Sequence, residues 1–143
     1  MPKSQNESKF WKKLKSRIES SQYELTATRI ENSQTPGIPD LLLLDHKKNL
    51  HLIELKVTQN ARVNISPFQV SFATRHKGSR VWLLVERQMK DGPLVYLYRA
   101  NSVQQLAEHN LDTVSPELSF SLKDSFDLFI NWISRSTKIT GCK

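Results

Sequence analysis

The fold is decided by the stretch from Gly37 to Val57, which reads GIPDLLLLDHKKNLHLIELKV. Its first half contains four consecutive leucines at 41–44, a pattern typical of a central strand that is covered on both faces. The polar residues at 45–49 indicate a turn, and the apolar-rich residues at 50–57 predict the returning strand of a hairpin. The stretch therefore predicts two adjacent antiparallel strands at the centre of a sheet.

The charged residues of this hairpin are predicted to converge on one face of the sheet. Glu54 and Lys56 are two positions apart on a strand, so their side chains project to the same side, about 6.5 Å from one another. If the turn is a three-residue loop that pairs Asp45 with Asn49, the register places Asp40 directly opposite Glu54. Charges in a largely covered position are costly unless they are paired or bound to a metal, so we expect a functional site here.

Asp40 and Glu54 together indicate a metal site. Two close carboxylates raise one another's pKa unless a cation lies between them, and oxygen ligands of this kind suit a hard ion such as Mg²⁺. Beside them, Lys56 could orient or deprotonate an attacking water, or stabilise charge in a phosphorane-like transition state. Phosphodiester hydrolysis needs such a metal ion and such a neighbouring basic group. A plainer alternative is a cross-strand ion pair of Lys56 with either acid, with Asp40 capping a turn.

The segments outside the hairpin predict helices and further strands. Before it, an amphipathic helix is predicted from Asn6 to about Ser20, followed by a half-buried strand that alternates from Tyr23 to Thr28. After it, Ser66-Pro67 marks the start of a second helix, and apolar runs predict strands at 81–85 and 94–98. Within the second helix, the spacing predicts an apolar stripe of Phe68, Phe72 and Ala73. A closing helix is predicted from apolar residues at helical spacing, namely Phe126, Phe129, Ile130 and Ile133.

The predicted order is helix, three strands, helix, two strands and helix, which describes one α/β domain around a mixed sheet flanked by helices. We expect a single domain over residues 1–143, with a core at about 6–99 and a C-terminal extension at 100–143. The sequence shows no internal repeat or linker that would divide it.

Composition favours a polyanion as the partner. Lys and Arg outnumber Asp and Glu by 21 to 14, which gives a net charge of +7. The single cysteine, Cys142, excludes an internal disulfide and a cysteine zinc site. No run approaches the roughly 20 apolar residues of a membrane span, and the N-terminus lacks a signal-peptide core, so we expect a soluble, cytoplasmic protein without a membrane partner. Such a small domain would fit a phage or bacterial genome.

The motif Gly37-Ile38-Pro39-Asp40 followed by Glu54-Leu55-Lys56 resembles the signature of the PD-(D/E)xK nuclease superfamily. The resemblance implies a restriction-endonuclease-like αβββαβ core, here with an added C-terminal helix. It further implies that Asp40, Glu54 and the Leu55 carbonyl hold Mg²⁺ or Mn²⁺, and that Lys56 serves catalysis. The implied activity is metal-dependent hydrolysis of DNA phosphodiester bonds by an endonuclease.

Two further residues extend the resemblance over about 7–86. Glu7 shares the apolar face of the first helix, where many members of the superfamily carry an acid as an outer metal ligand, although Ser4 to Glu7 also reads as a capping box. Gln69 resembles the glutamine on the helix after the Glu-x-Lys strand in Holliday junction resolvases and VRR-NUC domains, proteins associated with DNA recombination and repair. The run from Ile65 to Gln69 is similar to the Leu-Ser-Pro-x-Gln pattern of VRR-NUC domains, and an exposed amide is the alternative.

Basic and polar residues around the expected cleft are candidates for contacts with branched or double-stranded DNA. They are Lys12, Lys13, Arg29, Ser33, Thr35, Arg62, Arg75 and Lys77. The small size favours an enzyme that recognises DNA shape and cuts as a symmetric homodimer, with Trp132 as an interface or rim aromatic.

Two alternatives remain open. A sequence-specific enzyme of the restriction or homing type would read bases with residues after 98, namely Arg99, Asn101, Gln104 and Gln105. A non-catalytic nucleic-acid-binding module would keep the fold without cutting, but pure binding would gain from losing buried acids.

Overall fold

In a computed structural model, the described residues are 5–30 and 34–136. Their elements, in chain order, are α1 (Gln5–Ser20), β1 (Thr26–Arg29), β2 (Leu41–Leu44), β3 (Leu50–Thr58), α2 (Pro67–Arg75), β4 (Val81–Arg87), β5 (Leu94–Arg99), a 3₁₀ turn (Ala100–Ser102), α3 (Val103–Glu108), β6 (Leu118–Phe120) and α4 (Phe126–Ser136). No helix in this part of the chain combines the length and the apolar character needed to span a membrane.

The strands form one mixed open sheet in the order β1-β2-β3-β4-β5-β6. β3 and β4 run parallel and are connected through α2, whereas each other neighbouring pair is antiparallel. Over residues 5–30 and 34–136 the chain is therefore an α/β fold with four α-helices and a six-stranded sheet, and its first and last elements are helices. The predicted α/β class, the mixed sheet, the central hairpin and the closing helix are confirmed.

Successive strand residues point to opposite sides of the sheet, so apolar strands present two faces to be buried. Helices cover both of these faces. One core joins Phe10 of α1 and Phe129 of α4 to the strand residues at 53 and 55. The opposite core joins Phe72 of α2 and Leu106 of α3 to the strand residues at 83 and 85. Each fully buried side chain of this size stabilises the fold by roughly 1.5–3 kcal/mol.

Three features differ from the sequence-based expectations. α3 and β6 were not predicted, because helices and strands of six and three residues show too little periodicity. β1 begins only at Thr26, while Tyr23 and Leu25 pack against the core ahead of the strand. Phe68 does not belong to the buried stripe of α2, since it is 58% exposed while Phe72 and Ala73 are buried.

The turn between β2 and β3 is the predicted three-residue loop. The Asp45 N–H donates to the Asn49 carbonyl at 2.9 Å, and Lys48 adopts the left-handed conformation with a φ of 69°. A left-handed residue in the third loop position is the common solution for hairpins of this length. The predicted register follows, with Leu41 opposite Ile53.

A buried polar network secures this turn. Asp45 Oδ1 accepts hydrogen bonds from the backbone N–H groups of Lys47 at 2.8 Å and Asn49 at 3.0 Å. Asp45 Oδ2 lies 2.8 Å from His51 Nε2, and His51 Nδ1 accepts from Trp82 Nε1 at 2.9 Å. Because a tryptophan N–H can only donate, the neutral His51 ring carries its proton on Nε2, facing Asp45.

The environment shifts both titratable groups of the network. Burial lowers the pKa of His51, and the hydrogen bond with Asp45 offsets this only in part. Burial raises the pKa of Asp45, but the hydrogen bonds with His51 and the turn backbone outweigh it, so the net pKa is lowered. His51 is therefore held neutral and Asp45 ionised near neutral pH.

We predict that the network makes the fold sensitive to acid. Because the folded-state pKa of His51 lies below its unfolded value of about 6.5, the unfolded chain gains a proton that the folded chain lacks as the pH falls through that value. Stability should be full above about pH 6.5 and decline below it, whereas the lowered pKa of Asp45 acts only at still lower pH. Urea unfolding from about pH 7.5 to about pH 5.5 measures the decline.

A non-titrating replacement tests the assignment. In His51→Gln, the amide can donate to Asp45 and accept from Trp82, so the decline should flatten. His109→Gln, at an exposed position, should keep the wild-type slope. Equal slopes in all three proteins would place the acid sensitivity elsewhere.

Candidate active site

The candidate site lies where β2 begins and β3 nears its end, on the sheet face that α2 covers. Since Leu41 opposes Ile53, the next step of the register sets Asp40 opposite Glu54. These acids are 7% and 8% exposed. Two carboxylates therefore share a nearly closed position on one face of the sheet.

Asp40 is held by backbone groups on both sides. Its Oδ2 accepts a hydrogen bond from the Leu55 N–H at 2.8 Å, and its carbonyl accepts from the Ile30 N–H at 2.7 Å. In an antiparallel ladder, the N–H and C=O of one residue point to the same neighbouring strand. The Leu55 carbonyl therefore also points towards the start of β2, where Pro39 has no N–H to offer.

Gln69 connects the start of α2 to Glu54. Its side-chain Nε2 donates to Glu54 Oε2 at 2.9 Å, while its Oε1 accepts from the Ser66 N–H at 3.0 Å. The Ser66 hydroxyl in turn accepts from the Gln69 N–H at 3.2 Å, which completes a capping box with Pro67 at the first helical position. One amide thus caps the helix and orients a buried acid.

Gly37 allows the preceding loop to lie directly against α2. Its φ is +92°, and a Cβ built there would overlap the carbonyl oxygen of Phe68. Only glycine fits such a close approach at a positive φ. The contact fixes the loop from Gln34 to Pro39, and with it the position of Asp40.

Lys56 follows Glu54 by two residues and shares its sheet face, where it is partly buried. The ladder sets Lys56 opposite Val85 and Glu54 opposite Leu83, both in the core beneath α2 and α3. Its ammonium group is therefore carried on the same surface as the two acids.

Glu7 lies on α1 and is partly buried. Trp11 follows it by one helical turn, and the Arg29 guanidinium lies 5.7 Å from the Trp11 ring centroid. Arg29 opposes Leu41, the residue after Asp40. This side of α1 therefore faces the end of the sheet where Asp40 lies, while the capping-box alternative involves Ser4, outside the described residues.

Two of the residues predicted to contact DNA have structural partners. Lys13 forms an ion pair with Glu86, whose side chain is 2% exposed on the sheet face opposite Lys56. Arg29 lies over the Trp11 ring. An unpaired buried carboxylate is costly, so the Lys13 ammonium is engaged in neutralising Glu86.

The other predicted contacts differ in their distance from the acids. Lys12, Thr35 and Arg62 are exposed, and Thr35 precedes the Gly37 contact. Arg75 and Lys77 lie at the far end of α2, about 9 Å or more along the helix from Gln69, so the structure does not bring them to the acids. Ser33 lies outside the described residues.

The oxygen donors of this site are of the kind that a hard cation prefers. Among residues 5–30 and 34–136, no three or more His, Cys, Asp or Glu side chains are grouped to hold a metal ion, so Glu7 does not form a ready third carboxylate. Two carboxylates and one backbone carbonyl still fit Mg²⁺, which commonly keeps several waters and binds through one or two carboxylates plus substrate phosphate. Asp40, Glu54 and Leu55 supply that set.

Comparison with known proteins gives no further guide. No protein-family model matches the sequence, and no curated protein matches it significantly. The functional argument therefore depends on the residues of this chain.

Some residues that shape the site were not singled out from sequence. The Gly37 contact with α2 and the polar loop after β3, with Asn60 and Asn64, are of this kind. A signal was present in each case: a Pro-Gly pair before the acid, and the polar run QNARVN between a strand and a helix.

We predict that Gly37→Ala destabilises the fold more than Gly92→Ala. Both positions have a positive φ, which costs about 1–2 kcal/mol for alanine. Only at Gly37 does the added methyl group also meet backbone, whereas nothing lies within 4 Å of the Cβ position at Gly92. Urea unfolding measures the difference, and equal losses for the two variants would contradict the packing of the loop against α2.

We also predict that Gln69→Ala lowers the free energy of unfolding by about 1–2 kcal/mol. The substitution removes the acceptor for the Ser66 N–H and a donor to the buried Glu54. Ser71→Ala, at an exposed position of the same helix, should change stability by less than about 0.5 kcal/mol. A Gln69→Ala protein as stable as Ser71→Ala would show that the amide contributes neither bond in solution.

Proposed function

We propose that this protein is a metal-dependent DNA endonuclease of the PD-(D/E)xK type, with a restriction-endonuclease-like core. The observation that carries the proposal is the pair of nearly buried acids, Asp40 and Glu54, on one sheet face with Lys56, and with Gln69 bonded to Glu54. Burying two carboxylates side by side opposes folding unless a cation compensates them. A divalent cation held between the two acids would provide this compensation, and Lys56 on the same face would act beside it.

Each residue has a distinct role in this proposal. Asp40, Glu54 and the Leu55 carbonyl would hold Mg²⁺ or Mn²⁺, which would polarise the scissile phosphate and make an attacking water more acidic. The Leu55 N–H and the Gln69 amide orient the two carboxylates. Lys56 stabilises negative charge that develops on the phosphate, or takes a proton from the attacking water. Glu7 is assigned to the outer metal shell by resemblance.

The substrate we propose is branched or double-stranded DNA, recognised by shape. The net charge of +7 favours a polyanion, and the exposed Lys12 and Arg62 are available for phosphate. Shape recognition is favoured over base reading because three of the base-reading candidates already have partners within the chain. Arg99 pairs with Glu117 and lies over the Trp82 ring, Asn101 accepts from the Gly78 N–H, and Gln104 donates to Glu108.

We further propose that the enzyme acts as a homodimer through α4. Leu128 is 54% exposed on this helix. Trp132 lies beside it, one turn later and only partly buried. An exposed apolar side chain beside a partly exposed aromatic ring fits the apolar centre of a two-fold interface.

Cleavage of labelled four-way-junction, flap and linear duplex DNA tests the proposed activity. With Mg²⁺ we expect cutting of branched DNA, and none with EDTA. Asp40→Asn, Glu54→Gln and Lys56→Ala should each lower the rate by about 100-fold or more, because each removes a group from the reacting centre. Asp112→Asn, an exposed acid that pairs with Arg87, serves as the matched control and should retain the rate.

The products discriminate among the alternatives. Cutting only at rare sites in linear DNA would favour a sequence-specific enzyme. Tight DNA binding without metal-dependent cutting on any substrate would contradict the catalytic assignment and favour a binding module.

A further inference from the structure

A cleft of about 410 Å³ opens beside the end of β3. This volume falls within the range of small-ligand pockets, roughly 300–1,000 Å³, and is too small for a duplex. Its polar lining comes from Thr58, Asn60, Arg62 and Asn64. Its apolar lining comes from Val57, Val63, Ile65 and Ala107. The cleft therefore combines hydrogen-bonding groups and a cation with an apolar surface.

The loop that forms the cleft is held in place from both sides. Thr58 Oγ1 donates to the Arg62 carbonyl at 2.7 Å, and Asn60 Oδ1 accepts from the Arg62 N–H at 2.9 Å. The Ala61 carbonyl accepts from the Leu111 N–H, beyond α3, at 2.8 Å. Since the loop is tied to the strand and to the segment after α3, the cleft is preformed, and little ordering is needed on binding.

The cleft adjoins the candidate active site. Thr58 follows Lys56 by two residues on the same strand face, a separation of about 6.6 Å. Ile65 lines this cleft and also a cavity that reaches Glu54 and Gln69. A strand whose phosphate lies at Lys56 would thus have its neighbouring nucleotide at the cleft.

We propose that the cleft binds one unpaired nucleotide next to the scissile phosphate, which makes the enzyme selective for DNA with an unpaired base at the cleavage point. The base would lie on Ile65 and Ala107, with Asn64 at its polar edge and Arg62 at the flanking phosphate. A base stacked within a duplex cannot enter such a cleft, so fully paired DNA gains nothing from it. This inference rests on the proposed nuclease function and specifies its substrate.

A neighbouring cleft limits the site to a single nucleotide. It measures about 290 Å³ and shares Ile65 and Ala107 with the first. Glu108 lines it, and a carboxylate there repels a second phosphate. Binding of the DNA strand is therefore electrostatically favourable at the first cleft and unfavourable at the second.

Filling the cleft tests the inference. Ala107→Trp places a large side chain between the two clefts, while Gln105→Trp adds the same group to the same helix at an exposed position that lines neither. Fluorescence anisotropy without Mg²⁺ compares a duplex that carries one unpaired central nucleotide with a fully paired duplex. We expect wild type and Gln105→Trp to prefer the first by about tenfold, and Ala107→Trp to lose the preference while keeping its affinity for paired DNA.

Asn64→Trp provides a second obstruction, from an exposed loop position, should Ala107→Trp fail to fold. Retention of the tenfold preference in a folded cleft-filling variant, or its absence in wild type, would overturn the inference. The assay needs no cutting, so its result is independent of catalysis. If only the cleft-filling variants lose the preference, and no variant or wild type cuts DNA, the cleft is supported and the nuclease proposal is contradicted. If wild type cuts DNA with Mg²⁺ but shows no preference for the unpaired nucleotide, the nuclease is supported and the cleft is contradicted.

Discussion

The position of both candidate catalytic acids depends on the register of the β2–β3 hairpin, and the Asp45 carboxylate is the main fixed point of that register. It binds the backbone of the turn and the buried His51 ring, which in turn accepts from Trp82 on β4. A slip of one residue would turn each side chain of β3 to the other face of the sheet. Glu54 would then enter the apolar core beneath α1. The polar network at one end of the hairpin therefore preserves the placement of the two acids at the other end.

A second constraint operates where the Gly37 loop meets α2. The loop positions Asp40, and the start of the helix positions Glu54 through Gln69. Because the loop backbone lies against the Phe68 carbonyl, movement of the helix start would be transmitted to both acids together. The two carboxylates thus keep their spacing even though they come from different strands.

Local patterns allowed much of this arrangement to be predicted from sequence. The opposition of Asp40 and Glu54 follows from turn length alone, since strand register is set by the loop. The exposure of Phe68 could not be predicted, because the apolar pattern does not show where along α2 the helix begins to be covered by the sheet. Phe68 lies in the first turn, and only the later residues Phe72 and Ala73 are buried. The pairing of Lys13 with Glu86 was equally inaccessible, as the two residues are 73 positions apart and on separate elements. Such contacts depend on tertiary packing, which cannot be inferred from the local pattern of a single sequence.

The sheet ends at both sides in very short strands, four residues in β1 and three in β6. Short edges offer few unpaired backbone groups to another chain, and Thr and Arg side chains on β1 make its edge polar. Copies of the protein at high local concentration are therefore less prone to pair edge to edge through their sheets. Any contact between two copies would then form through helical surfaces, where side chains meet without extending the hydrogen-bonded ladder of the sheet.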